Sequence, residues 1–515
     1  MPENKTTMKK TLGLTGVTVN AMALIAPGAF LWITFQVQAS NTGGASDMWT
    51  GILAALTVAF LTAISFSQLA RKYPEAGAGG SYYFAEKAFL DREKASHKRF
   101  ARIAKFVTGW AAHLFYWVYP GVMVAMMATL VAYILSQFGV AISIPVEILI
   151  AVAFSILVGF IAVRGITGST NVAIVINVIQ LVSLVGFSVL AILFRLNNPL
   201  HVAHWAYPSA ASILIPHDLP SMLFQSTIAI LILVGFESST SLAGEALNPR
   251  RDIPRGVILS LTIQGLFAYL FEYFAANFAV SSKLVYVASD GTRLTGMAAA
   301  AASGAPIGDL TRLIGNAMLG GNGFALMVLI AITVALAVLG TTLAAMNTAV
   351  RISFAMAQDN EMPGPLGALH QKHATPHVAV WILVAVSAVI GSVGVLNVTA
   401  LTGVTLASNI GTFALYALIC FLTFVTFAGT KEFSGVKHAI IPFLGLAGNV
   451  GMLAAVVLIG LATPGVSRDA TVIALGMTLG WGIISGFYLV LNSRKSGRAI
   501  IPSIAMMERV SSTSK

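Results

Sequence analysis

The stretch from Ser221 to Ala246, SMLFQSTIAILILVGFESSTSLAGEA, is an apolar run long enough to cross a membrane as a helix. Polar residues interrupt it at its centre, where Gly235 to Ser239 include the carboxylic acid Glu237. A charged group there is costly unless it faces a partner or a cavity, and an irregular backbone at membrane depth is tolerated only inside protein or beside water. The stretch therefore predicts a broken helix inside a bundle.

The remainder of the chain has the composition of a membrane protein. Of its 515 residues, 57% are hydrophobic and 10% are charged, and the mean hydropathy is +0.85. Soluble domains are about 45–50% apolar and about 25% charged, so the composition excludes a water-soluble fold. The apolar runs are too long and unbroken for β-barrel strands. We predict an all-α polytopic membrane protein.

About 12 transmembrane helices fit the apolar runs, at about 20 residues for each. The first run follows Lys9 and Lys10, as in a signal peptide, but its length favours a span that is retained. The predicted spans cover residues 17–37, 48–70, 106–137, 143–163, 169–195, 221–246, 255–281, 319–347, 377–396, 401–427, 440–462 and 470–491.

The net charge of +11 reflects membrane topology rather than binding to nucleic acid. If the N-terminus is cytoplasmic, all but five of the 30 Lys and Arg residues fall on the cytoplasmic side. This imbalance follows the positive-inside rule. It predicts cytoplasmic termini and a multi-pass protein of the plasma membrane, the inner membrane in a bacterium. The densest basic run, from Arg71 to Lys105, is expected to rest against anionic lipid headgroups.

A second predicted span is also interrupted at its centre, by Ala26-Pro27-Gly28-Ala29. Proline removes an amide donor and glycine tolerates unusual dihedral angles. This break lies in the first of spans one to five, and the break at Gly235 lies in the first of spans six to ten, which start from the opposite side of the membrane. Corresponding breaks in two such halves indicate an inverted repeat with a site near the midplane. A simple kink at Pro27, and a Glu237 that merely holds two helices together, are the alternatives.

The predicted organisation has two such repeats between short tails. It consists of an N-terminal tail at 1–16, the first repeat at 17–195, the second repeat at 221–427, two further spans at 440–491 and a C-terminal tail at 492–515.

Three motifs lie at the predicted cytoplasmic ends of the spans. Tyr73–Tyr83 (YPEAGAGGSYY) follows span two, Gly235–Glu237 leads to Ala243–Arg255 (AGEALNPRRDIPR) after span six, and Arg351–Pro363 follows span eight. Together they resemble the amino acid–polyamine–organocation superfamily of transporters. The resemblance implies a five-plus-five inverted repeat with broken helices 1 and 6, two further helices, and alternating access.

The resemblance also implies a substrate site. The break in span one would offer amides to a substrate carboxylate and the break in span six would offer carbonyls to its α-amino group, roles that suit helix ends. Phe236 stands where relatives cover the substrate with a bulky residue, with core packing as the alternative, and Pro27 departs from the family's Gly-rich pattern. The residues assigned to this site are Ala26, Pro27, Gly28, Ala29, Gly235, Phe236, Glu237 and Ser238.

Candidates for coupling to an ion are few. Some proton-coupled relatives place a Lys in span five, and the nearest equivalent here is Gln180, whose amide cannot titrate. Sodium coupling would need oxygens between spans one and eight, where Thr341 and Thr342 are candidates, although such hydroxyls commonly bond to their own helix. Glu237 is the titratable candidate at a break. Exchange of one solute for another needs no ion site.

Other ionisable residues in the spans have structural interpretations. Glu147 and Glu272 are expected to snorkel or pair near the outer ends of their spans. His113 is expected to be a hydrogen-bonded structural histidine, with a contact to substrate or to a proton as the alternative.

Span twelve carries the small-xxx-small spacing that permits close helix approach, in Gly476 with Gly480 and in Gly482 with Gly486. Packing within one subunit is the expected role, and a homodimer interface is the alternative.

No other chemistry is indicated. The sequence has no HExxH or Walker motif and a single Cys420, so no metal, cofactor, disulfide or enzymatic activity is expected. We predict a secondary transporter, a permease or exchanger for amino acids. The alternatives are a transporter of polyamines or other organic cations, and a transporter-like nutrient sensor.

Overall fold

The computed structural model describes residues 10–25, 27–41, 45–76, 79–164, 170–288, 290–373 and 375–504. The helices are α1 (Leu14–Ile25), α2 (Pro27–Ala39), α3 (Met48–Lys72), α4 (Ser81–Leu90), α5 (Ala95–Lys98), α6 (Ala101–Gln137), α7 (Ile144–Val163), α8 (Thr170–Asn197), α9 (Ala211–Leu214), α10 (Leu219–Ala229), α11 (Pro249–Leu261), α12 (Leu270–Ala279), α13 (Gly296–Ala302), α14 (Pro306–Met318), α15 (Gly323–Gln358), α16 (His377–Gly394), α17 (Val398–Phe427), α18 (Ile441–Ala462) and α19 (Val466–Ser496).

Short irregular elements join these helices. Segments with 3₁₀ geometry cover Ala45–Asp47, Ile230–Ile232, Phe236–Leu242 and Gly364–Gly367, and π-helical segments cover Thr262–Tyr269 and Gly435–Ile440. Strands β1 (Val285–Val287) and β2 (Arg293–Thr295) pair antiparallel, with Tyr286 opposite Leu294.

The all-α polytopic fold is confirmed. In the described part of the chain, 11 helical segments are long and apolar enough to cross a membrane. The first predicted span is absent from that count because it consists of two shorter helices, α1 and α2, on either side of residue 26. Ala26 and the side chains of Pro27 and Ala29 lie outside the described residues, and Gly28 is described as backbone of α2.

Helix α6 lies at the centre of the bundle, against α15, α16 and α17. Its middle is buried on all sides because aromatic and small residues alternate there, as in Tyr116, Tyr119 and Gly121. A helix that is apolar all round has to be buried in protein or in lipid. The tyrosine hydroxyls of this buried stretch must therefore find partners inside the bundle.

Helix α19 lies on the outside of the bundle. A Cβ atom built at Gly476, Gly480, Gly482 or Gly486 would meet no atom within 4 Å in the described part of the chain. The prediction that these glycines pack within one subunit is wrong, because this face of α19 points away from the other helices. The homodimer interface stays a prediction.

Candidate functional site

The break in span six touches the end of α1, just before the position of the other predicted break. Gly235 has φ = +125°, and a Cβ atom there would lie 2.9 Å from the amide nitrogen of Ile25 and 3.0 Å from the carbonyl carbon of Leu24. L-residues avoid this conformation and the contact leaves no room for a side chain. Glycine at 235 is therefore what lets the end of α1 approach the break in span six.

Glu237 lies beside this contact and is buried. Its Oε1 accepts a hydrogen bond from the Tyr116 hydroxyl at 2.7 Å, and its Oε2 accepts one from the Tyr416 hydroxyl at 2.7 Å. Oε2 also accepts from the amide of Gly235 at 3.0 Å. The carboxylate thus joins α6 and α17 to the break, and bonds of this kind to a charged group are stronger than neutral ones.

The chain after Gly235 continues as the 3₁₀ segment Phe236–Leu242, which is stabilised by its own hydroxyl groups. Ser238 Oγ donates to the Gly235 carbonyl at 2.6 Å, and each of the next three residues donates to the carbonyl three positions earlier: Ser239, Thr240 and Ser241, all at 2.7 Å. These bonds compete with an α-helical pattern. The polar run in the sequence therefore sets the backbone geometry of the break.

Side chains from three other parts of the bundle cap the last carbonyls of α1. The Tyr119 hydroxyl donates to the Leu24 carbonyl at 3.2 Å, the Tyr269 hydroxyl donates to the Ile25 carbonyl, and Thr341 Oγ1 donates to the Ala23 carbonyl at 3.1 Å. The last carbonyls of a helix have no partner within it. Thr342 takes no part, because its hydroxyl donates to Val338 of its own helix at 2.6 Å.

Phe236 is packed rather than open to solvent. Its ring is fully buried and makes an edge contact with Phe66, with centroids 6.1 Å apart, and a tilted contact with Tyr416 at 5.3 Å. The Tyr416 hydroxyl also donates to Glu237, so a movement of the Phe236 ring would shift a hydrogen-bond donor of this carboxylate.

Two of the polar side chains singled out in the sequence are among those with buried polar atoms that lack a hydrogen-bond partner in the described part of the chain. Both carboxylate oxygens of Glu272, on α12, and Oε1 of Gln180, on α8, are buried without a hydrogen-bond partner among the described residues. The expectation that Glu272 snorkels or pairs is wrong, because packing of α12 against α8 encloses it. Glu147 is half-buried in the first turn of α7.

His113 is a structural histidine, as predicted. Its Nδ1 is 2.7 Å from the Gly109 carbonyl and its Nε2 is 2.9 Å from Ser353 Oγ. The ring is buried, so it ties α6 to α15 within the bundle.

The motifs after spans two and eight meet at the predicted cytoplasmic end. The Tyr82 hydroxyl donates to Asp359 Oδ2 at 3.0 Å, and Lys105 Nζ lies 2.9 Å from the same oxygen and 2.7 Å from Glu86 Oε1. Burial, reinforced by the Asp359 carboxylate, raises the pKa of Tyr82 and raises the pKa of Tyr83 to about 12, so both hydroxyls stay protonated donors.

The motif after span six joins the same end of the bundle. Arg351 Nη2 lies 2.6 Å from Glu245 Oε1, and the Glu245 carbonyl accepts from the amides of Thr11 and Leu12. Gly80 has φ = +44°, and a Cβ atom there would lie 2.8 Å from Thr240 Oγ1. The three motifs thus connect the chain before α1, the 3₁₀ segment, α4 and α15.

This arrangement corrects the interpretation of the basic run. Lys105 is paired as described above, and Arg102 forms a bidentate pair with the buried Glu361 at 2.7 and 3.2 Å. Arg92 donates to the carbonyls of Val425 and Ala428. These three cations bind protein partners instead of lipid headgroups, because α4 and α6 fold back on the ends of α15 and α17.

The other end of the bundle is closed by α14. Asp309 accepts from the Tyr133 hydroxyl at 2.9 Å and from Ser303 Oγ at 2.5 Å, and Tyr133 packs edge-on against Trp32 of α2. Burial raises the pKa of Asp309, although both hydrogen bonds oppose the shift. These contacts tie α14 to α6 at this end of the bundle, and α6 in turn to α2.

Sequence reasoning missed the tyrosines that organise the breaks. Tyr416 stands in an apolar run with no motif around it, and Tyr116, Tyr119 and Tyr269 lie in predicted spans where no motif assigns them a role. A tyrosine deep in an apolar span still needs a partner for its hydroxyl, and that need is the one signal the sequence offers.

Comparison with known proteins places the chain among transporters. The branched-chain amino acid permease BcaP of Bacillus subtilis is 26% identical over 178 residues, which cover 35% of this chain and 33% of that protein. The methylthioribose transporter of Bacillus subtilis is 22% identical over 387 residues, 74% of this chain and 75% of that protein. The low-affinity putrescine importer PlaP of Escherichia coli is 25% identical over 269 residues, 52% of this chain and 54% of that protein. The alignments thus span about a third of BcaP and about half of PlaP.

The family model described as amino acid permease matches residues 16–501, which include both breaks, the three motifs and all the predicted spans. The match covers nearly the whole chain, and its relatives are membrane transporters of amino acids or related organic solutes. The chain belongs to the amino acid permease family, within the amino acid–polyamine–organocation superfamily.

Proposed function

We propose that this permease carries amino acids across the plasma membrane by alternating access around the two breaks, as an exchanger or secondary active transporter. The observation that supports this most directly is the contact between Gly235 and the end of α1. Two helix interruptions that meet inside the bundle supply helix ends of both polarities in one place.

The substrate carboxylate would lie at the start of α2. The first amides of a helix have no partner within it and carry a partial positive charge. Pro27 has no amide hydrogen, so Gly28 and Ala29 would supply the first donors. The α-amino group would lie against the carbonyls just before Gly235, where the segment Ile230–Ile232 ends.

The two closed ends would open in turn. Movement of α14 away from α2 would break the contacts of Asp309, and movement of α4 away from α15 would break those of Asp359. An inverted repeat would relate these two motions, since the two halves would rock around the breaks.

An amino acid fits better than a diamine. The acid at the break, Glu237, already accepts from Tyr116, Tyr416 and Gly235, so its charge is committed to protein donors. A diamine would need a free carboxylate near the site for its second ammonium group. The resemblance to the putrescine importer PlaP favours the alternative, and it is tested in the same experiment.

The test is uptake into proteoliposomes that contain the purified protein, with and without preloaded counter-solute. Radiolabelled leucine, methionine, putrescine and methylthioribose form the panel. We expect saturable, stereoselective uptake of at least one amino acid, stimulated by internal amino acid. Uptake of putrescine alone would support the organic-cation alternative, and binding without flux would support a nutrient sensor.

Phe236→Leu tests the position of the site. We expect a severalfold increase in the KM for uptake, because the shorter side chain covers less of a bound substrate, while the protein still folds. Phe421→Leu is the matched control, because Phe421 lies on α17 but is 44% exposed on the outer surface. Equal KM values in the parent and both variants would remove Phe236 from the site.

The predicted topology can be tested by labelling in a Cys420→Ser background. Ser46→Cys, before α3, should react with an impermeant thiol reagent from outside intact cells. Ser96→Cys, on α5, should react only after permeabilisation. The reverse pattern would contradict cytoplasmic termini.

A further inference from the structure

A basic cavity lies at the same end of the bundle as the three motifs, away from the breaks. It has a volume of about 850 Å³ between the end of α3 and the starts of α1 and α11. Its lining includes Arg71 from α3 and Arg250, Arg251 and Arg255 from the first turns of α11. All four arginines are exposed, so their guanidinium groups are free to meet a ligand from the surrounding headgroup layer.

A second cavity of about 350 Å³ extends this basic surface. It shares Arg71 and Arg250 with the first cavity and adds Lys72 and Lys437. Lys72 is neutralised by Glu432, at 3.1 Å. Arg71 and Arg250 are the two cations that line both cavities.

The charge of the larger cavity lacks a counterion within the protein. Its lining contains no carboxylate among the described residues. Arg251 approaches the buried Asp252 only at 3.9 Å, and Arg71, Arg250 and Arg255 form no ion pair in the part of the chain that the structure describes. The start of a helix favours anions and disfavours cations, so the arginines in the first turns of α11 favour a bound anion.

Part of the cavity lining is apolar. Leu14, Pro254, Ile258 and Leu259 line the same cavity, and Leu259 is 39% exposed on the outer surface. A ligand that fills the cavity therefore needs an anionic end and an apolar end. Basic pockets between transmembrane helices on the cytoplasmic side bind acidic lipid headgroups in this way.

We propose that this cavity binds the phosphate of an anionic phospholipid, with the guanidinium groups of Arg71 and Arg250 on the phosphate and the acyl chains along Ile258 and Leu259. Guanidinium groups suit this ligand because they bind phosphate in bidentate fashion. The lipid would bridge α3 and α11. The site is separate from the breaks and does not depend on the proposed substrate.

The test is native mass spectrometry of the detergent-purified full chain, titrated with dioleoylphosphatidylglycerol or dioleoylphosphatidylcholine. We expect the protein to bind dioleoylphosphatidylglycerol in preference to dioleoylphosphatidylcholine. In the double variant Arg71→Gln with Arg250→Gln, the affinity of the protein for dioleoylphosphatidylglycerol should fall about 25-fold. Each cation removed near the membrane surface accounts for about fivefold. Affinity within twofold of the parent would overturn the proposal.

Arg164→Gln with Lys431→Gln is the matched control. Both residues are exposed cations predicted on the same side of the membrane, and neither lines the two cavities. This variant should keep the parent's affinity. An equal loss in the control would show a general effect of surface charge and would also overturn the proposal.

Three further arms separate a folding defect from loss of the site and identify the source of the phosphate. Arg71→Lys with Arg250→Lys keeps the charge, so we expect its affinity to stay within about fivefold of the parent's, and Arg250→Gln alone should lose about fivefold. Glycerophosphoglycerol at millimolar concentration carries the same phosphate diester without acyl chains. Failure to displace the lipid supports the lipid site, and displacement would overturn the lipid as the source.

Discussion

Glu237 and Glu272 are both buried acids in the second predicted repeat, yet their surroundings differ completely. Glu237 accepts hydrogen bonds from Tyr116, Tyr416 and Gly235. Neither oxygen of Glu272 has a partner among the residues the structure describes. A buried charge is stable only when it is paired or hydrogen-bonded. The same residue type, similarly buried, therefore suits a fixed anionic anchor in one place and a neutral, protonated acid in the other.

This difference separates organising a site from carrying a proton. An acid that holds three donors in place resists a change of protonation, because losing the charge would weaken every bond. Protonation of an acid without donors breaks no hydrogen bond. The ionised form of such an acid is stabilised only when water or a cation reaches it. On this reasoning Glu237 maintains the break, and Glu272 is where a pH dependence of transport would originate.

The largest effect is expected from Glu237→Gln. The amide keeps one acceptor oxygen but places a donor against a tyrosine hydroxyl, which breaks the charged network. The free energy of unfolding in mixed micelles of sodium dodecyl sulfate should fall by about 3 kcal/mol. Concentrative uptake should fall at least tenfold, while exchange is retained in the fraction that folds. Stability and transport equal to the parent's would show that the bonds to Glu237 have no role.

An intermediate effect is expected from Tyr416→Phe and Tyr116→Phe. Each removes one hydrogen bond to the carboxylate, worth about 1.5–3 kcal/mol for a charged acceptor. In a double-mutant cycle with Glu237→Gln, each tyrosine should show a coupling energy above about 1 kcal/mol. Tyr273→Phe is the control, because its hydroxyl has no partner in the described part of the chain. Additive effects would mean that the bonds to Glu237 contribute nothing specific.

The smallest effect on stability is expected from Glu272→Gln. Glu272 has no hydrogen-bond partner among the described residues that the substitution could remove. The free energy of unfolding should therefore change by less than about 1 kcal/mol. Uptake measured from pH 5 to pH 8 should lose whatever pH dependence the parent has. A loss of stability as large as that of Glu237→Gln would make the two acids equivalent and would remove the basis of the comparison.

Some of the site was predictable from the sequence because it depends on local chemistry. Gly235 and the hydroxyl run after it specify a break wherever the segment lies, since glycine permits the positive φ and each hydroxyl bonds to a carbonyl of its own segment. The fold class was predictable for a similar reason, because long apolar runs have few other stable forms in a membrane. The roles of His113 and Thr342 also followed from side chains that bond within a turn of their own helix.

The partners of these local elements were decided by the tertiary structure alone. Tyr416 lies 179 residues from Glu237 and Thr341 lies 318 residues from Ala23, so no window of sequence brings them together. The same holds for Glu272, because no neighbouring helix in the described part of the chain supplies a hydrogen-bond donor to it. Local sequence sets backbone geometry through steric and short-range bonds, but the state of a buried charge depends on the donors that packing brings to it.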